Sequence, residues 1–304
     1  MIVCVCLSPA VDITYRVGQL TAGATNRVRS AARRPGGKAV NVARVLHVLG
    51  EPVSLLAPVG GRAGVEFAED LGALGVPATL VTNGASTRST VTVVDDAGVA
   101  TTFVEPAPLD CWPGLLAHAQ AAVARADVLV VSGMVPTGAP AGALGELVRQ
   151  ASGAGRASVV DTSGLALLDA VRAQPTMIKP NADELAEVTG ERDAARAAGS
   201  LARRYDTTVV ASLGPEGVVV ATPTDEWRAW PASKLTGNPT GAGDALVAGL
   251  ARGLRGGTDF EQLLGDAVGL AAAAVLSPHA GEVDPAVYAE QRAGVRVEAT
   301  GARR

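Results

Sequence analysis

The chain predicts a layered α/β protein built on a mainly parallel sheet, and three observations lead to that reading. Short apolar runs such as "DVLVVSG" and "ASVVDTSG" alternate with longer stretches whose apolar residues recur at helical spacing, such as "NVARVLHVLG" and "GALGELVRQASGAG". The short runs are continuous rather than alternating, as in strands covered on both faces. Hydrophobic residues make up 48% of the 304 positions and aromatics only 3%, so the core draws on Ala, Gly and Val, as such layered proteins do.

In chain order, "MIVCVCL" reads as a buried strand and "NVARVLHVLG" as a helix stopped by Gly50. "VSLLAPVG" is the next strand and "GVEFAEDLGALG" the next helix. The rhythm continues through "DVLVVSG" (strand), "GALGELVRQASGAG" (helix), "ASVVDTSG" (strand), "ALLDAVRAQ" (helix), "TMIKPN" (strand) and "DELAEVTG" (helix). Repeated strand–helix units give parallel strands with helices on both faces of the sheet. Two stretches break the rhythm. "VDITYRV" with "NRVRSAARRP", near 11–34, and "STVTVVDDAGVATTFVEP", near 86–106, alternate apolar and polar residues as half-solvated antiparallel strands do. They are expected to form one small β lid projecting from the body and able to cover a site. After residue 200 come the strand "TTVVASLG", the hairpin-like "GVVVATPTDEWRAWPA" and a closing set of Ala-rich helices, with disorder expected only in the final "TGARR". The length predicts one large domain over 1–304, with the lid as an insertion.

Composition narrows the partners. The balance of 26 basic against 30 acidic residues gives a net charge of −4, which leaves no electrostatic footprint for nucleic acid or an anionic membrane. A small molecule becomes the default ligand. The three cysteines, Cys4, Cys6 and Cys111, have neither disulfide nor zinc spacing and suit a reducing compartment. The apolar start has no basic n-region and meets Asp12 early, and no apolar run approaches the ~20 residues of a membrane span. A soluble, cytoplasmic protein is expected.

In an open parallel sheet, ligands bind beyond the carboxyl ends of the strands, so the loops there are the places to search. "GGKAVNVARVLHVLG" offers Gly37 for close backbone approach, Lys38 as a point charge and Asn41 with both donor and acceptor atoms. A glycine turn with a solvated lysine accounts for it equally well. It is not a Walker loop, because the second spaced glycine and the following Ser/Thr are missing. In "KPNADELAEVTG", Asn181 and Glu184 have capping-box spacing, and the same side chains could position a hydrated magnesium ion. "SLGPEGVVV" is a strand end with a Gly-x-x-Gly turn, either a plain hairpin or a nucleotide-facing turn. "SGMVPTG" is a similar strand-end loop, weak when alone. In "NPTGAGDALVAGL", a helix starts after Gly241, Ala242 and Gly243, whose N–H groups could hold a transferring phosphoryl group while Asp244 takes the proton of an attacking hydroxyl. A capping acid is the plainer account of Asp244, but a cap does not require three small residues before it.

Together, "GGKAVNVARVLHVLG" and "NPTGAGDALVAGL", about 200 residues apart, resemble the two signature segments of the ribokinase-like (PfkB) sugar kinases. "SPAVDITYRV", "DTSGLALL", "KPNADELAEVTG" and "SLGPEGVVV" resemble the branch that holds 1-phosphofructokinase and tagatose-6-phosphate kinase, so the similarity runs the length of the chain. The resemblance implies a ribokinase-like, doubly wound α/β fold with a small antiparallel β lid, and a kinase that uses ATP and Mg²⁺. It implies Asp244 as catalytic base and Gly241, Ala242 and Gly243 as an anion hole. Lys179, Asn181, Glu184, Ser212, Gly214 and Gly217 fall on the nucleotide side, with Glu184 reaching the metal through water. Asp12, Gly37, Lys38, Asn41 and Arg88 fall on the sugar side, with Lys38 and Arg88 expected at the phosphate the sugar already carries. A homodimer through the lid is implied as well.

The sequence departs from the branch at Ser8 and Thr90, where Asn is usual, at Ala39, where Gly is usual, and in the "NP" that precedes "TGAGD". These changes bear on the identity of the sugar more than on the phosphoryl-transfer centre. Fructose 1-phosphate, phosphorylated on O6, is the preferred substrate, with tagatose 6-phosphate and fructose 6-phosphate as alternatives. A nicotinamide-dependent dehydrogenase would need G-x-G-x-x-G after the first strand, and "CLSPAVD" has none. A kinase-like fold kept only to bind sugar phosphate is disfavoured by the intact Gly-Ala-Gly-Asp.

Overall fold

The computed structural model describes residues 1–277, 279 and 281–302. The first half of the chain runs β1 (Ile2–Val5), β2 (Ala10–Arg16), β3 (Ser30–Gly36), α1 (Lys38–Val48), β4 (Val53–Val59), α2 (Gly61–Ala73), β5 (Ala78–Thr82), β6 (Arg88–Val94), β7 (Ala100–Val104), α3 (Trp112–Val123) and β8 (Val128–Ser132). It continues with α4 (Ala143–Gly153), β9 (Ala157–Asp161), α5 (Gly164–Arg172), β10 (Met177–Ile178), α6 (Ala182–Thr189), α7 (Ala194–Tyr205), β11 (Thr208–Ser212) and a 3-10 turn at Gly214–Glu216. The end of the chain is β12 (Val218–Ala221), β13 (Asp225–Trp230), α8 (Ala242–Gly256), α9 (Phe260–Val275), α10 (Pro285–Gly294) and β14 (Arg296–Ala302).

Ten strands form the main sheet in the order β14-β13-β12-β11-β10-β9-β8-β1-β4-β5. From β11 to β5 every pairing is parallel, as the alternation of strands and helices requires. The pairings of β11 with β12, β12 with β13 and β13 with β14 are antiparallel, the first two being the expected hairpin region. Successive side chains of β1 point to opposite faces. Ile2, Cys4 and Cys6 enter a core with α1, α8 and α9, whereas Val3, Val5 and Leu7 enter one with α3, α4, α5 and α7. This is the doubly wound, mainly parallel α/β arrangement with helices on both faces.

The second sheet is the lid, in the order β3-β2-β6-β7. Each hairpin is antiparallel, Ala10 opposite Gly36 in one and Thr90 opposite Val104 in the other. The hairpins are joined along a parallel seam, with Ala10 opposite Arg88 and Asp12 opposite Thr90. The seam is parallel for a simple reason. β2 follows β1 and β6 follows β5, two strands that point the same way in the main sheet, so both lid strands leave the same edge in the same direction.

Four elements were not anticipated. α3, β5 and α7 fill stretches that alternation alone left blank, and β14 occupies part of "TGARR", where disorder was expected: Gly301 pairs with Glu226. β14 extends a sheet edge, so its ladder is a long-range effect absent from local sequence. Arg303 and Arg304, the rest of that expectation, lie outside the described residues.

Helices α8 and α9 touch through glycine. A Cβ at Gly249 would stand 2.4 Å from Ala267 Cα. Gly to Ala in a helix interior ordinarily stabilises by about 1 kcal/mol. Gly249→Ala is expected to reverse that sign and to cost about 1–3 kcal/mol in denaturant unfolding, as overpacking does. A gain in stability would show that the two helices can separate there without loss.

Candidate active site

The strand ends of β1, β9, β10 and β11 and the N-termini of α1 and α8 meet at the carboxyl edge of the parallel sheet, the crevice where a doubly wound fold places ligands. Helix α8 starts from Gly241, whose φ of 87° is the left-handed conformation that favours glycine, and no side chain caps this end. Asp244, in the first turn, is buried. Its Oδ2 accepts a 2.8 Å hydrogen bond from Asn41 Nδ2 on α1. Asp244 is therefore not a capping acid. Of the three amides expected to face an anion, that of Ala242 donates to Pro239 O at 3.2 Å, and those of Gly241 and Gly243 donate to none of the described residues. The free amides and the positive end of α8 leave a small electropositive concavity.

A second carboxylate organises the charges around it. Asp161 ends β9 and is buried, with Lys179 Nζ 3.2 Å from Oδ1, Lys38 Nζ 3.3 Å from Oδ2, and Ser132 Oγ donating to Oδ2 at 3.0 Å. Burial alone would raise its pKa, but Lys179 and Lys38 outweigh burial and hold the carboxyl below the usual range. Burial works against the charge on Lys38 too, and Asp161, Asp244 and Glu184 overcome it, so its ammonium is held charged more firmly than usual. Asp244 has the opposite balance. Burial, reinforced by the negative Asp161, pushes its carboxyl up to about 7, against the pull of Asn41, Lys38 and Lys179. A Cβ at position 243 would stand 3.5 Å from Lys179 Nζ, so this ammonium lies beside the open amides of α8.

Asn181 and Glu184 form the capping box in full: Asn181 Oδ1 accepts from Glu184 N at 2.8 Å and Glu184 Oε2 accepts from Asn181 N at 2.8 Å. Ser212, Gly214 and Gly217 line a cavity of about 460 Å³ together with Ala242, Gly243 and Leu246, so the turn after β11 and the start of α8 face one space. That volume is in the range of small-molecule and cofactor pockets. Gly217 also has a packing role, since a Cβ there would meet Ala229 O at 2.1 Å across the β12–β13 hairpin.

The remaining predicted residues lie at the root of the lid. Gly37 adopts φ 116° before α1, and Asp12 on β2 rests against Gly36, where a Cβ would fall 2.0 Å from its carboxylate. Burial pushes the Asp12 carboxyl up, opposed by a hydrogen bond from Thr90 and by the charges of Arg88 and Arg44. Arg88 opens β6 and donates from Nε to Ser8 Oγ at 3.0 Å. Lys38 and Arg88, expected at one phosphate, thus have different partners: Lys38 turns to Asp161 beside α8, and Arg88 to the β1–β2 loop. Asn41, expected to meet the sugar, spends its amide nitrogen on Asp244. Asp161 and Ser132 were not singled out from sequence, although an acid closing the apolar run "ASVVD" at a strand end is a usable signal.

Known proteins share this chain's sequence pattern and fold. The chain matches the pfkB family carbohydrate kinase description over residues 1–286. It is 31% identical over 285 residues to the 1-phosphofructokinase of Vibrio cholerae serotype O1, covering 90% of this chain and 89% of that protein. Phosphofructokinase-2 from Escherichia coli, solved in complex with potassium, superposes with a TM-score of 0.90 at 26% identity, covering 96% of this chain and 98% of that one. A tetrameric inhibited form of the same enzyme gives 0.86 over the same shares. Ribokinase from Arabidopsis thaliana, solved with ribose and ATP, gives 0.77 at 19% identity over 96% and 98%, a likeness of fold alone. The fold is that of the ribokinase-like kinases. The chain belongs to the pfkB family of carbohydrate kinases and is a phosphotransferase.

The raised pKa of Asp244 has a consequence for stability. Between its ordinary 3.8 and about 7 the folded protein holds a proton that the unfolded chain releases, so this group's contribution to stability falls as pH rises through that window. Asp244→Asn removes the effect. The stability of the variant relative to the wild type is expected to rise between about pH 4 and about pH 8 in chemical unfolding, then to level off. A difference independent of pH would mean that the carboxyl titrates normally.

Proposed function

We propose that this protein transfers the γ-phosphoryl group of ATP to a primary hydroxyl of a ketohexose phosphate, with fructose 1-phosphate to fructose 1,6-bisphosphate as the preferred reaction. The observation that carries the reading is the buried Asp244, held by Asn41 at an uncapped helix start beside Lys38, Lys179 and the cavity at Ser212. The name of the Vibrio cholerae relative supports the choice of sugar. Tagatose 6-phosphate and fructose 6-phosphate are the other candidates, since each presents a phosphate at one end and a primary hydroxyl at the other.

In this reading Asp244 is the base. It takes the proton of the sugar hydroxyl as the new O–P bond forms to the γ-phosphorus, the bond to the bridging oxygen breaks and ADP leaves. A base whose pKa is near 7 is neutralised after transfer without leaving a buried charge. The amides of Gly241 and Gly243 receive the transferring group, and the Ala242 amide joins them when its turn bond to Pro239 opens. Lys38 and Lys179 supply positive charge at the same point, so Lys38 is assigned to the transferred group and not to the sugar's own phosphate. Ser212, Gly214 and Gly217 face the nucleotide. Asp12 and Gly37 meet sugar hydroxyls, and Arg88 meets the sugar phosphate.

Among the described residues no three His, Cys, Asp or Glu side chains cluster to hold a metal. That fits Mg²⁺ bound chiefly by phosphate and water, with Glu184 and Asn181 reaching it through water, because Mg²⁺ keeps several of its waters. When bound, the ion would neutralise phosphate charge. We assign the protein to the cytoplasm, in keeping with its free Cys4, Cys6 and Cys111; no helix among the described residues is long and apolar enough to cross a membrane. We also assign self-association to the lid, as a homodimer, because Val99, Phe103 and Val104 are exposed on and beside its edge strand β7.

Asp244→Asn is expected to retain ATP binding and to lower kcat by about 10²–10⁴ when fructose 1-phosphate is phosphorylated. Near-normal turnover would overturn the assignment of the base. ATP consumption that does not respond to any of the three sugar phosphates would favour a protein that only binds them. Hydrogen exchange is expected to show residues 11–34 and 86–106 protected when sugar phosphate is added, with the central strands unchanged. Protection restricted to other segments would remove the lid from the mechanism.

A further inference from the structure

The aim of Arg88 is set by Ser8 and Thr90. Its Nε donates to Ser8 Oγ at 3.0 Å, one terminal nitrogen to Thr90 Oγ1 at 3.0 Å, and the other to the carbonyl of Ser8 at 3.3 Å. A guanidinium has five N–H donors in one plane, so three are committed and the plane is fixed. Two remain, one on each terminal nitrogen, as a bidentate contact to a phosphate requires. Ser8 is buried in the loop that leaves β1, so a lid arginine is anchored to the central sheet.

Thr90 has a second task. It lies directly opposite Asp12 in the parallel β2–β6 seam, so the residue that takes an N–H of Arg88 also stands beside the acid placed at the sugar hydroxyls, whose carboxyl it helps to keep ionised against burial. Arginine can only donate, so the Thr90 hydroxyl accepts from Arg88 and keeps its own proton for another acceptor. Arg88 and Asp12 are close enough to influence each other, and Thr90 is bonded to the one and faces the other across the seam. Without it, Arg88 and Asp12 could close into a direct ion pair and consume the groups that the sugar needs. The bond from Arg88 to Thr90 holds the cation off that pairing.

We propose that Ser8 and Thr90 are the positioning residues that make this site select a sugar carrying a phosphate over the same sugar without one. They hold Arg88 open for that phosphate while Asp12 stays available for hydroxyls. The inference rests on the reading of Arg88 and Asp12 in the proposed function. The preorganisation matters energetically because an arginine that is already ordered loses less side-chain freedom when the anion arrives.

The test is steady-state kinetics with ATP and fructose 1-phosphate, and with ATP and fructose, for the wild type and for Ser8→Ala, Thr90→Val, Thr90→Ser and Arg88→Ala. Thr90→Val preserves shape and removes the hydroxyl, whereas Thr90→Ser keeps it. Thr90→Val and Ser8→Ala are expected to raise KM for fructose 1-phosphate at least about tenfold and to leave KM for ATP in place. They are also expected to narrow the kcat/KM preference for fructose 1-phosphate over fructose, and Thr90→Ser should restore both quantities. A purely structural role would reduce the active fraction, and so kcat, without moving KM. If Arg88→Ala raises KM while Thr90→Val and Ser8→Ala do not, the inference is overturned and the proposed function stands. A wild type that phosphorylates none of the sugar phosphates overturns both.

Discussion

One buried carboxylate holds the site together. Asp161 has an ammonium on each side and a hydroxyl on one oxygen, and those partners come from the ends of β8 and β10 and the start of α1. Taking such a charge out of water is costly unless its partners stay in place, so the three strand ends and the helix start cannot move independently. The ammoniums drawn in by Asp161 stand beside the N-terminus of α8, where an incoming phosphate can use them. The same negative charge raises the proton affinity of Asp244. A single residue thereby sets both where positive charge sits and how readily the neighbouring acid holds a proton.

The lid depends on the body in a similar way. Arg88 reaches from β6 to Ser8, and Glu282 pairs with Arg34 on β3 and with Arg44 on α1, at 3.4 Å in the latter case. These contacts lie at the root of the lid. Its far edge, β7, keeps apolar side chains in water. A sheet tethered at one end and unsatisfied at the other is well suited to closing over a ligand or onto a second copy.

What could be read from the residues follows from how local each signal is. The strand–helix alternation, the stop at Gly50, the capping box at Asn181 and Glu184 and the glycine-rich start of α8 are set within a few residues, and each is found where expected. The direction of the β2–β6 seam is not local: it comes from the shared edge of β1 and β5, more than 70 residues apart. Asp161 was missed for the same reason. Its partners Lys38 and Ser132 lie 123 and 29 residues away, and nothing in "ASVVDTSG" indicates that two lysines will converge on it. The grouping of Lys38 with Arg88 treated two cations as one site because both suit a phosphate; the fold gives each a different partner. The role of Asn41 was half visible. Its place in a helix was legible, although α1 begins at Lys38 and not at Asn41, but its bond to Asp244, 203 positions later, was not.

The central claim is that Asp244 is a base whose proton affinity is set by burial and by Asp161. The pH dependence of kcat/KM for ATP-dependent phosphorylation of fructose 1-phosphate tests it most directly, because that profile reports groups in the free enzyme. Activity is predicted to fall on the acid side with an apparent pKa near the value of about 7 held by Asp244. An acid limb near 3.8, the ordinary carboxyl value, or a rate with no acid limb at all, would contradict the account.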